Sequence, residues 1–308
     1  MNTPHKLLQR IVGAFALCAG VGAVSAGDLS PAAAAVTQPS YVIRPVRALA
    51  PGDAFSEHVT SVTQTVQKRL SEGDNTTSSS SSVDATGTVT VTQVDKVGQL
   101  SAFVFTVTRL TQDAQSILQP GTQANITNDG GKTHFTVGGL PADARITPAL
   151  AQVFFTRDPS NTVSDDAMFG SAVPRQVGES WDVNTRLIAQ ELGRSGFVFP
   201  DPSQLKGQAK FVGVERFKGE VVLHVHIYLN AMRVHPPGDP RSYFDLDYVF
   251  DELLPVDDNL VAAFTERYDS GWDSVDNIII PEYHGGPMLA THTERHIEVT
   301  PTTVSKRP

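Results

Sequence analysis

Cysteine and charge are both scarce in this sequence. One cysteine occurs among 308 residues, and charged residues make up only 19% of the chain. Acidic residues outnumber basic ones by 33 to 24, which gives a net charge of −9. This acidic balance argues against broad nucleic-acid binding and against docking on anionic membranes, both of which need a basic face. An apolar fraction of 40% is typical of a folding chain rather than a disordered one.

Long apolar runs are also absent, except at the N-terminus. Lys6 and Arg10 precede an uncharged apolar stretch over residues 11–24, and Ser25-Ala26 places small residues before Gly27. This order is typical of a signal peptide over 1–26. The stretch is shorter than the roughly 20 residues of a membrane-spanning helix. The sequence therefore predicts a periplasmic or secreted protein whose mature chain has no transmembrane span.

Removal of residues 1–26 changes the charge and the thiol content. It leaves 22 basic and 33 acidic residues, a net charge of −11, and it removes Cys18. The mature protein would then have neither a disulfide nor a free thiol. A minor alternative is a lipoprotein acylated at Cys18, although Leu17 fits poorly before an acylated cysteine.

Composition shifts predict the domain organisation. Residues 27–50 are rich in Pro and Ala, which favours an extended leader. Residues 51–300 form a single β-dominated domain in this interpretation, and 301–308 form a tail. A shared order of strand, turn and strand in 87–107 and 207–227 leaves open two related halves, 51–145 and 206–300, joined by a helical middle segment.

β-branched and aromatic residues predict strands over much of this domain, at 87–94, 102–109, 208–229, 243–251 and 289–299. Lys218-Gly219 predicts a hairpin turn that pairs Val214 with Leu223 and Val212 with Val225. The serine-rich stretch 71–82 is expected to form a solvated loop.

Only two segments indicate helices, both in the middle third of the chain. One runs from Thr147 to Phe155, and the other runs from Thr185 to Leu192 behind Asn184 as its cap. The predicted fold class is therefore α+β, a long antiparallel sheet with a few helices on one face.

Alternating histidines suggest one candidate metal site. His224 and His226 share a strand face, and so do His292, Glu294 and His296 on another strand. Imidazole and carboxylate groups bind Zn²⁺ or Cu²⁺ when they converge, which requires the two strands to be neighbours. The alternative is a polar sheet face that carries histidines without a metal.

Other catalytic motifs are incomplete. The chain has no Gly-x-Ser-x-Gly sequence, and the Ser203-to-Lys206 pair lacks the companion motifs of acyl-transfer enzymes. We therefore expect no catalysis and no cofactor.

The most distinctive sequence is Pro174-Arg175-Gln176-Val177-Gly178-Glu179-Ser180-Trp181. Its Val-Gly-Glu-Ser-Trp part resembles a string found in uncharacterised exported bacterial proteins whose layout is similar to the periplasmic lipoprotein-carrier fold. The resemblance implies a curved sheet, an incomplete barrel, with helices covering its concave side. Within the string, Gly178 suits a tight turn and Trp181 a large buried anchor.

The resemblance also implies a function, an exported binding or carrier-like module for an apolar or lipid-like small molecule. It carries over no catalytic residues. Two alternatives remain at this point. One is a structural or interaction protein with a partner in the cell envelope. The other is a metal-dependent hydrolase that uses the histidines above.

Overall fold

The computed structural model describes residues 38–46, 48–69, 75–194, 196–199, 201–235, 242–257, 260–261, 265–276, 287–300 and 302–303. The predicted signal peptide and residues 27–37 of the predicted leader lie outside these ranges. Strands and three α-helices make up most of the described chain. Within it, no helix combines the length and apolarity needed to cross a bilayer.

The strands are β1 Tyr41–Ile43, β2 Ala54–Arg69, β3 Asn75–Val94, β4 Leu100–Gln112, β5 Gln115–Leu118, β6 Gln123–Asp129, β7 Lys132–Val137, β8 Leu140–Pro141, β9 Ser171–Arg175, β10 Ser180–Asp182, β11 Leu205–Phe217, β12 Glu220–Val234, β13 Ser242–Pro255, β14 Leu260–Val261, β15 Thr265–Asp276, β16 Pro287–Thr300 and β17 Thr302–Thr303. The helices are α1 Ile146–Val153, α2 Asp165–Phe169 and α3 Thr185–Arg194, and a 3-10 turn spans Pro202–Gln204.

One 13-stranded sheet dominates the fold, with the order β10-β11-β12-β13-β15-β16-β2-β3-β4-β6-β7-β8 and with β5 paired to β4. Its neighbouring strands are antiparallel, and its two ends, β10 and β8, do not meet. Two small antiparallel sheets pair β1 with β9 and β14 with β17. The α+β prediction is thus confirmed at the level of a large antiparallel sheet with a few helices.

The hairpin predicted at Lys218-Gly219 is present, with one register error. Both turn residues have positive φ, 49° and 90°, as a type I′ turn requires. Val214 pairs with Leu223 as predicted, but Val225 pairs with Phe211 and not with Val212. A register break between Phe211 and Gly213 shifts the pairing, and alternation alone does not reveal such a bulge.

The serine-rich stretch does not form the predicted loop. Strand β3 begins at Asn75 and includes Ser78 to Ser82, which pair with β2. Serine has little intrinsic preference for strands, but the neighbouring β2 supplies a complete ladder of backbone partners. Pairing therefore extends the strand through these residues.

The two predicted helices are present as α1 and α3. Asp143 accepts hydrogen bonds from the backbone N–H groups of Arg145 and Ile146 at the start of α1, each at 2.8 Å. Asn184 accepts one from Leu187 N at 3.2 Å and so caps α3. Helix α2 was not predicted, because its five residues are too few to show a helical repeat in the sequence. Its N-cap is Ser164, whose hydroxyl oxygen accepts a hydrogen bond from Ala167 N.

Buried apolar side chains form two clusters on the two ends of this sheet. The first core joins α1 to strands β2 to β7 and includes Val59, Phe103, Phe105, Ile126 and Leu150. The second core joins α2 and α3 to strands β10 to β13 and includes Phe169, Trp181, Ile188, Phe211 and Ile227. Each core therefore has its own helical cover.

The predicted leader contributes to the second core. Tyr41–Ile43 form a strand against β9, Ile43 is only 1% exposed, and the Tyr41 ring stands edge-on to Phe211. Pro and Ala enrichment obscured this short apolar segment in the sequence. The packed part of the chain therefore begins before the expected boundary at residue 51.

The string from Pro174 to Trp181 connects β9 to the main sheet. Gly178 has a φ of 92°, and Trp181 is 7% exposed within the second core, as predicted. The indole Nε1 of Trp181 donates a hydrogen bond to Phe169 O at 2.9 Å. The string thus fixes α2 against the first strand of the sheet.

Candidate functional site

His224 lies at the centre of a polar cluster on strands β11, β12 and β13. Its Nδ1 lies 2.7 Å from Glu215 Oε1, and its Nε2 lies 2.7 Å from Asp251 Oδ1. His226 Nδ1 lies 3.2 Å from the same Asp251 oxygen. Because carboxylates only accept hydrogen bonds, both nitrogens of His224 must carry a proton in this arrangement. The geometry therefore describes an imidazolium held between two carboxylates.

Partial burial strengthens this cluster. The side chains of His224 and Asp251 are 22% and 18% exposed. The hydrogen bond to Asp251 raises the pKa of His224 above its ordinary value against the opposing effect of burial, and Glu215 adds to the increase. Burial alone would raise the pKa of Asp251, but hydrogen bonds from His224 and His226 bring it below its usual value.

The cluster belongs to a longer polar row across the sheet. From β11 to β3, successive pairings align Lys210, His226, Asp251, Arg267, His296, Thr60 and Asp84. We call these residues the polar row. At its far end, Arg109 donates to both Asp84 oxygens, at 2.8 and 2.7 Å. The row includes both basic and acidic residues, and opposite charges on neighbouring strands stabilise a sheet modestly.

The candidate metal ligands are distributed along this face, not gathered at one point. His224 and His226 lie on β12, whereas His292, Glu294 and His296 lie on β16, and β13 and β15 separate the two strands. Three strand spacings place His226 and His296 about 14 Å apart across the sheet. The side chains of His292, Glu294 and His296 lie outside the described part of the structure. Within the described part, no group of three or more potential ligands is arranged to hold a metal ion.

The opposite face of the central strands β13 and β15 includes several aromatic positions. Tyr248 on β13 is 1% exposed and belongs to the second core. The backbone register places Trp272 opposite Leu246 and Tyr268 opposite Phe250, at positions of the same parity as Tyr248. We call these five residues the aromatic floor. The contribution of β15 to the floor depends on the sheet order, which alternation along a single strand does not reveal.

Helices pack on strands that lie to either side of this floor in the sheet order. Helix α1 contacts β2, β3, β5 and β7, and helix α3 contacts β11. The strands of the floor lie between these two groups in the sheet order. The chain matches no protein-family model and no curated protein sequence.

Proposed function

We propose that this protein is an exported binding module of the carrier type, which holds an apolar or lipid-like molecule on the aromatic floor. The observation that carries the proposal is the position of the floor, between two helix-covered cores on one continuous sheet. The predicted N-terminal export signal and the resemblance of the Pro174-to-Trp181 string support the same function. In this proposal the protein has no catalytic role.

The sheet register supports a common side for all three helices. It runs without a break from Ile227 through Phe250, Tyr268 and Arg295 to Ser61. Residues opposed in antiparallel strands share a face, so Ile227 and Ser61 lie on the same face. Ile227 packs in the core that holds α2 and α3, and Gln152 of α1 donates to Ser61 O at 3.2 Å.

We further propose that the sheet curves around this side as an incomplete barrel. Twisted antiparallel sheets of this length curl readily, and curvature toward the helices would enclose the floor. Apolar rings at the floor would supply the contact area, since each aromatic side chain buries about 150–250 Å². Polar groups of the ligand would then lie toward the open edge.

Tryptophan fluorescence tests the proposal, because the chain has only two tryptophans. In a Trp181→Phe variant, Trp272 is the only tryptophan. With selective excitation of tryptophan, a brominated fatty acid bound at the floor should quench its emission strongly. The matched variant Trp272→Phe keeps buried Trp181 and should show little quenching. Native mass spectrometry of protein purified without detergent should also detect a bound apolar molecule. Absence of both quenching and bound lipid would reject the proposal.

The polar row favours a second candidate, an interaction protein of the cell envelope. A face that carries charges of both signs suits a partner of complementary charge. Capture of an envelope protein by the parent chain, with loss of that protein at high salt and in Lys210→Glu, would support this function. If the same variant retains the partner, the polar row is not the binding surface.

A further inference from the structure

The chain crosses between the two cores at two places. At the longer crossing, the chain leaves the first core after Phe154 and enters the second core at Val163. The other crossing runs from Ile43 in the second core to Leu49 beside the first. A turn between β3 and β4 contacts both crossings, since Gly98 O accepts from Leu49 N at 2.9 Å and Lys96 N donates to Asn161 O at 3.2 Å.

Arg157 stands at the centre of the longer crossing. Its Nε donates to Asp95 Oδ2 at 3.1 Å, and its Nη1 donates to Asp165 Oδ1 at 2.8 Å. The third donor, Nη2, bonds to Val163 O. Asp95 belongs to the β3–β4 turn of the first core, and Asp165 opens helix α2 of the second. One guanidinium thus links both cores.

Further polar contacts surround this guanidinium. Gln99 exchanges two hydrogen bonds with Asp165, one from its side-chain amide and one to it from Asp165 N at 3.3 Å. On helix α3, Glu191 accepts from Asn161 Nδ2 at 2.7 Å and from Arg194 Nη1 at 3.2 Å. We call these residues the Arg157 junction: Asp95, Gln99, Arg157, Asn161, Asp165, Glu191 and Arg194.

Burial makes the junction sensitive to its charges. The Asp95 side chain is fully buried and that of Arg157 is 13% exposed. Burial raises the pKa of Asp95 and of Glu191 above the usual values, in part against the attraction of Arg157. Three carboxylates face two guanidiniums, so the loss of Arg157 would leave like charges together. Removal of one member of a buried ionic network is strongly unfavourable, because it leaves an uncompensated charge.

We infer that the Arg157 junction is a conformational joint that holds the two helix-covered cores in one relative orientation. The cores are otherwise connected by the central strands, which can bend as a sheet, and by the short crossing at 43–49. Loss of the junction lets α1 move away from α2 and α3 while both cores stay folded. This motion would widen access to the aromatic floor, a role that rests on the proposed function. The motion itself does not rest on that function.

Pulsed electron–electron spin resonance measures the motion directly. A Cys18→Ser background removes the only cysteine, and nitroxide labels at Ala144→Cys and Gln190→Cys report the separation of α1 from α3. Both label sites are exposed. We expect one narrow distance distribution in this background and a second, longer distance after Arg157→Met. The control Arg109→Met removes an exposed guanidinium that pairs with Asp84 on the sheet, and it should leave the distribution unchanged.

A milder variant keeps the inference testable if Arg157→Met does not fold. Gln99→Leu removes the hydrogen bonds to Asp165 without stranding a buried charge, and it should produce a smaller population at the longer distance. Hydrogen exchange should accelerate in residues 95–101 and 158–170 of both variants, with strands 102–107 and 222–229 still protected. A single unchanged distance in both folded variants would overturn the inference. If the variants show a second distance but the protein binds no lipid, the inference about the junction is supported and only the proposed ligand is rejected.

Discussion

His224 Nε2 lies 2.7 Å from Asp251 Oδ1, across the pairing of β12 and β13. The raised pKa of His224 gives stability that is complete below its unfolded value near 6.5 and is lost as the pH rises through the folded value. The lowered pKa of Asp251 gives stability that is present above 3.8 and is lost as the pH falls through its lower folded value. The cluster therefore stabilises the fold most between these two limits.

A His224→Gln variant tests whether the cluster stabilises the fold in this pH range. We expect a loss of about 1 kcal/mol in unfolding free energy near pH 5, because two charge-assisted hydrogen bonds disappear. The difference from the parent protein should shrink as the pH rises above the folded pKa of His224. Urea unfolding at a series of pH values measures it, and a difference that stays constant from pH 5 to pH 9 would contradict the charged state of His224.

Gly207 on β11 has no room for a side chain. A Cβ at this position would lie 2.4 Å from Leu229 Cδ2 and 2.5 Å from Val183 Cγ2. Gly207→Ala should therefore destabilise the protein by about 1–3 kcal/mol through overpacking. Gly213→Ala on the same strand is the matched control, since nothing lies within 4 Å of its Cβ position. Equal changes in melting temperature in the two variants would show that the second core rearranges to accept a side chain at position 207.

Trp181 tests whether the Pro174-to-Trp181 string is a folding element. Trp181→Phe keeps a buried ring but loses the hydrogen bond to Phe169 O, at a cost of about 1 kcal/mol. Trp181→Ala also leaves a cavity, at a cost of about 3–5 kcal/mol. Val173→Ala, at a residue that is 62% exposed, should change stability little. If Trp181→Ala unfolds at the denaturant concentration of the parent protein, the anchor role is wrong.

Local pattern predicted the elements of this fold better than it predicted their arrangement. The β11–β12 hairpin and helix α3 were predictable because their turn and cap residues lie next to their apolar repeats. The break at Val212 and the strand through Ser78 were not, since the partner strand determines both.

The candidate sites depend on long-range pairing, which sequence alternation does not contain. The pairing of β16 with β2 joins residues more than 200 positions apart. Strands β13 and β15 separate the two histidine-bearing strands β12 and β16. Arg157 and Asp95 are 62 positions apart, with no motif that connects them. The histidines were recognisable as a polar face, but their partners Glu215 and Asp251 were not assigned to them.

Two turns of the same type predict opposite effects of substitution. Asp113 and Ala114 join β4 to β5 with φ values of 49° and 63°, and Gly219 adopts 90° in the β11–β12 turn. A left-handed conformation strains alanine and suits glycine. Ala114→Gly should therefore stabilise the protein by up to about 1 kcal/mol, and Gly219→Ala should destabilise it by a similar amount. Chemical denaturation of both variants checks the pair, and shifts of the same sign would contradict the turn assignment.

Ile43 tests whether the predicted leader belongs to the folded domain. Its side chain is 1% exposed and packs in the second core, on the strand β1 that pairs with β9. Ile43→Ala should cost about 2–5 kcal/mol, as for a large side chain removed from a packed core. Val42→Ala, at a neighbour that is 40% exposed, should cost far less. Limited proteolysis adds a second readout, because cleavage between residues 38 and 46 should accelerate only in Ile43→Ala. Equal stability and equal cleavage in the two variants would show that this segment is a tether outside the core.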